Sequence, residues 1–120
     1  MKKKILITGA SSDIGISVVE KYLELGWVVT AHFNKSSKKL KNLKLHNHNL
    51  DLFCFDFKYI KKFEKFVKEN KSFFKKFDAF ISLTGLNNSK QFNSLKINEI
   101  NEHLNVNYFS SLLIVREVVN

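Results

Sequence analysis

The stretch Ile5-Leu6-Ile7-Thr8-Gly9-Ala10-Ser11-Ser12-Asp13-Ile14-Gly15 decides the fold. Three apolar residues in a row, ended by a glycine, predict a strand buried on both faces. Past the turn, Ile14, Val18, Val19, Tyr22, Leu23 and Leu25 recur at helical spacing, and Gly26 stands where a helix ends. A buried strand that runs through a glycine-containing turn into a helix can hold a dinucleotide pyrophosphate. The free amides of the helix N-terminus and its dipole both favour an anion there. Gly9 suits the sharp turn and Gly15 a close approach of helix to strand, while Ser11 and Ser12 add hydroxyl donors. An ordinary loop capped by serine is the blander alternative. The position of the turn, between a buried strand and an amphipathic helix, favours the phosphate site.

Outward from this turn the chain alternates. Residues 27–31 are β-branched and aromatic and predict a second strand. Residues 34–49 are polar, with a short helix hinted at by Leu40 and Leu43. Residues 52–55 predict a third strand ended by Asp56, and 79–83 a fourth. Between them, Ile60, Phe63, Phe66, Val67, Phe73, Phe74 and Phe77 recur at three and four, with lysines in the gaps. That pattern predicts one amphipathic helix over 59–77 with a wet, basic face. A last helix over 97–119 is apolar around most of its axis near its C-terminal end, so one side should meet the sheet and the other a second partner. Strands and helices in alternation give an α/β fold: a Rossmann-like doubly wound parallel sheet with right-handed crossovers and helices on both faces. No repeat, linker or second domain interrupts it, so residues 1–120 are expected to form one domain.

Composition narrows the function classes. The 120 residues can bury one modest core, and a hydrophobic content of 44% is that of a globular chain. The formal net charge is +9, and thirteen of the twenty Lys+Arg lie within 35–76. Such a region suits nucleic acid, a membrane surface, an anionic cofactor or simply a solvated helix face. The phenylalanines follow the core stripe and leave no aromatic platform beside the lysines, which argues against nucleic acid. Met1-Lys2-Lys3-Lys4 is followed by only three apolar residues before Thr8, too few for a signal peptide. No stretch approaches a membrane span, so the expected location is cytoplasmic. The single cysteine, Cys54, suits a reducing compartment and reads as a small buried hydrophobe among Leu52, Phe53 and Phe55. His46 and His48 flank Asn47 with no further ligands, so no metal is expected. His32, at the end of a strand, and His103, on a helix, have no obvious acid partner.

Thr8-Gly9-Ala10-Ser11-Ser12-Asp13-Ile14-Gly15 resembles the Thr-Gly-x-x-x-Gly-x-Gly fingerprint of the short-chain dehydrogenase/reductase family. Further landmarks follow in the family's order. Asp56, with Phe57 beside it, corresponds to the aspartate that holds the adenine amino group. Ser82-Leu83-Thr84-Gly85 takes the place of the Asn-Asn-Ala-Gly motif. Asn107, in Asn105-Val106-Asn107-Tyr108, matches the asparagine of the catalytic Asn-Ser-Tyr-Lys tetrad. Two departures stand out. Asp13 replaces the fingerprint's middle glycine, where a carboxylate either costs pyrophosphate affinity or caps the helix's free amides. Ser82-Leu83-Thr84-Gly85 keeps only the glycine of its motif.

The resemblance implies hydride transfer between a nicotinamide dinucleotide and a small carbonyl or alcohol, as in the reductases of oxoacyl thioesters. It also implies a homodimer or homotetramer formed through the helix that carries Asn107. The candidate cofactor-binding residues are Gly9, Ser11, Ser12, Asp13, Ile14, Gly15, Asn34, Lys35, Ser36, Asp56, Phe57, Ser82, Thr84 and Gly85, and the catalytic one is Asn107. In the family a serine and a Tyr-x-x-x-Lys complete the tetrad beyond this helix, the tyrosine as general acid/base. Here Tyr22, Tyr59 and Tyr108 are followed four residues on by Gly26, Phe63 and Leu112. The chain also stops within helical, apolar sequence, which reads as a cut. It is therefore expected to carry the cofactor half and to be inactive alone. The alternative is a non-catalytic module that binds NADPH.

Cofactor choice is legible in residues 32–39. Enzymes that prefer NAD place an acid at the end of strand two to accept from the ribose 2′-OH, and that carboxylate repels a 2′-phosphate. No acid occurs between Glu24 and Asp51. Asn34 and Ser36 can donate to a phosphate and Lys35 offers it a charge, so NADP(H) is expected over NAD(H).

Overall fold

A computed structural model describes residues 1–35, 37–85 and 92–119. Its elements, in order, are β1 (Lys4–Thr8), α1 (Asp13–Glu24), β2 (Val28–Phe33), α2 (Lys38–His46), β3 (Leu50–Cys54), α3 (Ile60–Glu69), α4 (Lys71–Lys75) and β4 (Ala79–Ser82). A short 3-10 turn (Phe92–Ser94) then leads to α5 (Ile97–Leu104), a π-helical turn (Asn105–Phe109) and α6 (Ser110–Val118). The sheet is parallel throughout in the order β3-β2-β1-β4. The α/β, Rossmann-like fold expected from the alternation is the fold observed.

The pleat of β1 explains why both faces are covered. Ile5 and Ile7 point into an aliphatic cluster with Val29, Ala31 and Leu50, closed by Val19 of α1 and Leu40 of α2. Leu6 points the other way, into a cluster with Phe63 and Val67 of α3, Phe74 of α4 and Ile114 of α6. The second cluster is a network of aromatic rings, with Phe57–Phe63 centroids 4.6 Å apart and Phe73–Phe74 5.0 Å apart at nearly right angles. Phe63 and Phe74 are fully buried, and each such burial is worth ~1.5–3 kcal/mol before entropy is counted.

Several elements differ from expectation. The helix expected over 59–77 is two helices, because Asn70 leaves helical geometry (φ −130°, ψ 39°) and turns its side-chain amide onto the Phe66 carbonyl at 2.8 Å. The core positions on both sides of the break still face the sheet, so apolar spacing could not reveal it. The helix expected over 97–119 contains the π turn at Asn105–Phe109, where Ser110 N–H reaches back to the Asn105 carbonyl and Ser110 Oγ to Val106 O at 2.9 Å. Strand β3 starts earlier than expected, at Leu50, and β2 runs on to Phe33. Cys54 is exposed rather than buried. It ends an edge strand, where its thiol donates to the Asn34 carbonyl at 3.4 Å.

Only one flank of the last helix is covered. Ser110, Ile114 and Glu117 are buried, whereas Leu112, Val115 and Val119 are exposed. The lysines of α3 are exposed, as the solvated-face reading requires. No helix among the described residues is long and apolar enough to cross a membrane.

Candidate functional site

The carboxyl ends of the strands open into one cavity of about 430 Å³. Gly9, Ser11 and Ser12 of the β1–α1 turn form one wall; Asn34 and Lys35 after β2 form the next. Asp56, Phe57 and Lys58 after β3 and Thr84 and Gly85 after β4 complete it, with Glu102 and Val106 above. Ligands of open α/β sheets bind in such a crevice, outside the carboxyl ends of the strands.

The β1–α1 turn is locally over-determined. Gly9 has φ +68°, and a Cβ there would stand 2.6 Å from the backbone of Leu83 and Thr84. Only glycine accepts both conditions. Gly15 allows α1 to sit against the turn: a Cβ would lie 2.6 Å from the Ala10 backbone, so the close contact is with the turn rather than with the strand. Ser12 is the N-cap of α1, accepting from Gly15 N–H at 3.0 Å. The amides of Asp13 and Ile14, in the first turn, have no intrahelical acceptor.

Asp13, in the place of the fingerprint's glycine, is neither the cap nor a wall of the cavity. Its carboxylate pairs with Lys39 of α2 at 2.6 Å, and that hydrogen bond and charge hold its pKa below the usual carboxylate range. Ile14 and Gly15 belong to the same helical turn but also lie outside the cavity wall. Ser82 stands behind it, its hydroxyl bonded to Thr84 Oγ1 at 3.1 Å and to Ser111 Oγ at 2.9 Å. Asn107 is exposed within the π turn, one residue from Val106 of the cavity. Single π turns recur at functional sites. Ser36 lies outside the described residues. Asp56 accepts from Lys58 N–H at 3.1 Å, with the Lys58 ammonium 3.7 Å from its other oxygen.

His32 is the residue that sequence reasoning missed. It lies inside β2, is 2% exposed and also lines the cavity. Gly9 N–H donates to its Nδ1 at 3.1 Å, and its Nε2 bonds the Phe55 carbonyl at 2.8 Å. Its ring stacks on Phe57 at 4.2 Å. Burial pushes its pKa down to about 4, against the opposing pull of the Phe55 carbonyl and the Asp56 charge. Asp56 thus acts on His32, although no sequence spacing pairs them. Its two hydrogen-bond partners sit 23 residues before and after the histidine, so no local signal could have found them.

The model of the short chain dehydrogenase family matches residues 3–120. The chain belongs to the short-chain dehydrogenase family. It is a family of oxidoreductases, and solved structures agree on the fold. A protein described as a candidate 3-oxoacyl-reductase from Bacillus thuringiensis is 24% identical, with a TM-score of 0.80 over 99% of this chain and 51% of its own. A short chain dehydrogenase from Leptospira borgpetersenii with bound NAD+ is 21% identical, with a TM-score of 0.74 over 98% of this chain and 45% of its own. A variant of ElxO with NADPH bound is 18% identical, with a TM-score of 0.76 over 99% of this chain and 50% of its own. The chain thus spans about half the length of the solved family members it matches. No curated protein matches it.

The residues of the cavity fit a dinucleotide. Serine hydroxyls and helix amides suit a pyrophosphate, and Lys35 with Asn34 suits a further anion. At Gly85 a Cβ would meet nothing within 4 Å among the described residues.

Proposed function

We propose that this chain is the cofactor-binding half of an NADP(H)-dependent oxidoreductase, which moves hydride between the dinucleotide and a small carbonyl or alcohol. The observation that carries the reading is the wall after β2. Asn34 and Lys35 face the same cavity as the glycine turn, in a segment without any acid. A lysine there attracts a 2′-phosphate, whereas the acid of an NAD site would repel it. Residues 1–120 form one incomplete dinucleotide-binding domain in this reading, with Gly9, Ser11, Ser12 and the free amides of Asp13 and Ile14 towards the pyrophosphate, the Asp13 carboxylate turned away to Lys39 and Gly15 letting α1 come close to the turn. Asn34, Lys35 and Ser36 take the 2′-phosphate, and Asp56, Phe57, Thr84 and Gly85 surround the adenosine and ribose, with Ser82 supporting Thr84 through its hydroxyl. The nicotinamide supplies the hydride chemistry, and Asn107 belongs to the proton-handling set. The remaining groups of that set, a serine and Tyr-x-x-x-Lys, do not occur as such a motif in residues 1–120. The complete protein is, in this reading, a homodimer or homotetramer, as the resemblance implies, and a cytoplasmic one, as the lone cysteine suggests.

Titration calorimetry with NADPH and NADH on the complete protein tests the reading. NADPH should bind about tenfold more tightly, the worth of one charge-assisted contact. Lys35→Glu should shrink or reverse that difference, and Lys62→Glu on the solvated face of α3 should leave it. Equal affinity for the two cofactors defeats the NADP(H) assignment. The second reading, a non-catalytic NADPH-binding module, is favoured if NADPH binds but no carbonyl substrate oxidises it.

A further inference from the structure

His32 lies at the junction of three strand ends, and no element of the dinucleotide reading uses it. Its Nδ1 accepts from Gly9, the residue with φ +68° on which the phosphate turn pivots. Its Nε2 reaches the carbonyl of Phe55, next to Asp56, and its ring lies flat on Phe57. One side chain therefore ties the β1–α1 turn to the segment after β3, across the cavity floor. An amide has only a hydrogen to offer and a carbonyl only lone pairs, so the two bonds require Nδ1 bare and Nε2 protonated. A charged ring would set a second N–H against that of Gly9.

We infer that neutral His32 is a positioning residue for the dinucleotide, holding the Gly9 amide and so the pyrophosphate turn in register with the adenosine wall at Asp56 and Phe57. The inference rests on the dinucleotide reading above. The ring does not need to touch the cofactor. It fixes where the turn sits before a ligand arrives, and preorganisation of this kind appears as affinity.

Two substitutions separate the two bonds. Asn places its side-chain oxygen where Nδ1 stands, keeping an acceptor for Gly9 and losing the bond to Phe55. Gln places its amide nitrogen near Nε2, keeping the Phe55 bond and losing the acceptor. Both lose the stacking on Phe57, so a purely structural role predicts similar losses for the pair. The complete protein and both variants are to be compared by thermal melting and by titration with NADP+ at pH 7. His32→Asn should bind within about threefold of the wild type, and His32→Gln about tenfold more weakly, the scale of one lost hydrogen bond. Equal affinities, or losses that follow the melting temperatures, overturn the inference. A measurement on the wild type needs no variant. With histidine labelled with 15N, NADP+ should shift the ring nitrogens of His32 and leave those of His46 and His48 in place. An unmoved His32 signal with NADP+ bound overturns the positioning role alone. Absence of any NADP+ binding by the folded wild type overturns the dinucleotide reading, and the inference falls with it.

Discussion

At the carboxyl ends of β1 and β2, the chain meets its own requirements: Gly9 bonds His32, Ser12 caps α1, and strands lie on both sides of each of these two. All but the first residue of β2 is buried. Along β4 and α6 the situation is reversed. Among the described residues β4 is a sheet edge paired only with β1, none of its four residues is buried, and α6 presents Leu112 and Val115 to solvent. Strand edges and apolar helix flanks of this kind are normally covered. The cavity end is therefore held by contacts within this chain, while the β4–α6 side stands uncovered among the described residues. Substitutions at the first region should act on folding and cofactor; those at the second should act on association.

The largest effect expected is at Gly9. Gly9→Ala combines a left-handed backbone with a Cβ 2.6 Å from the Leu83–Thr84 backbone, and neither neighbour is a flexible side-chain tip. The substitution should cost about 3 kcal/mol or more and abolish NADP+ binding. Chemical denaturation of the complete protein measures it. A variant with wild-type stability would mean that the turn is not held as described.

Next comes pH. His32 has its pKa depressed from 6.5 to about 4 by burial, so the unfolded chain binds its proton more readily than the folded one. Stability contributed by the neutral ring is full above pH 7. It declines as pH falls through 6.5 towards 4, losing about 3 kcal/mol in all, and His32 adds nothing further below that. His32→Asn should flatten this part of the stability profile. Parallel profiles for wild type and variant would show that His32 is not buried neutral.

Unequal legibility has physical causes. The glycine turn, the alternation of elements and the aromatic stripe of α3 were readable because each is a local pattern with its own period or backbone requirement. The break at Asn70 was not, since the apolar positions on both sides of it still face the core, nor was the π turn at Asn105–Phe109; both are accompanied by side chains bonding nearby carbonyls, which leaves no mark on the apolar spacing. His32 was invisible because its role exists only once β2 lies between β1 and β3. Cys54 misled because apolar neighbours predict burial only for a strand with cover on both faces, and β3 is an edge. Asp13 looked like a threat to phosphate binding only because the position of Lys39 cannot be read from spacing.

A smaller effect should separate the second region. Leu112 is exposed and lines a surface groove with Phe109, Leu113, Arg116 and Ile60 of α3. If copies of the complete protein associate through α6, Leu112→Glu should weaken association by about 2 kcal/mol, or roughly thirtyfold. Folding of each subunit should hardly change, because the side chain is already half in water. Sedimentation at several concentrations distinguishes the outcomes. An unchanged assembly would place the interface elsewhere.

The smallest effect is expected at Asp13, and it tests whether the fingerprint or the geometry governs the turn. Read as a motif, an acid in place of glycine should repel the pyrophosphate, so Asp13→Gly should greatly strengthen cofactor binding. The geometry argues otherwise. The carboxylate is exposed, lies outside the cavity wall and is held by Lys39 at 2.6 Å, an ion pair in full contact with solvent. Screening at such a surface leaves little for a charge to do at a distance. Removing the carboxylate also releases Lys39, whose charge then favours the anion slightly, while glycine at the first helical position slightly disfavours α1. Asp13→Asn avoids the second complication. It should therefore change NADP+ affinity by no more than about threefold and tighten rather than weaken it, with the difference vanishing as salt is raised. Titrations at low and high ionic strength measure this directly. A tenfold or greater gain that persists in high salt would show that Asp13 faces the phosphates after all, and that the pairing with Lys39 does not hold it away.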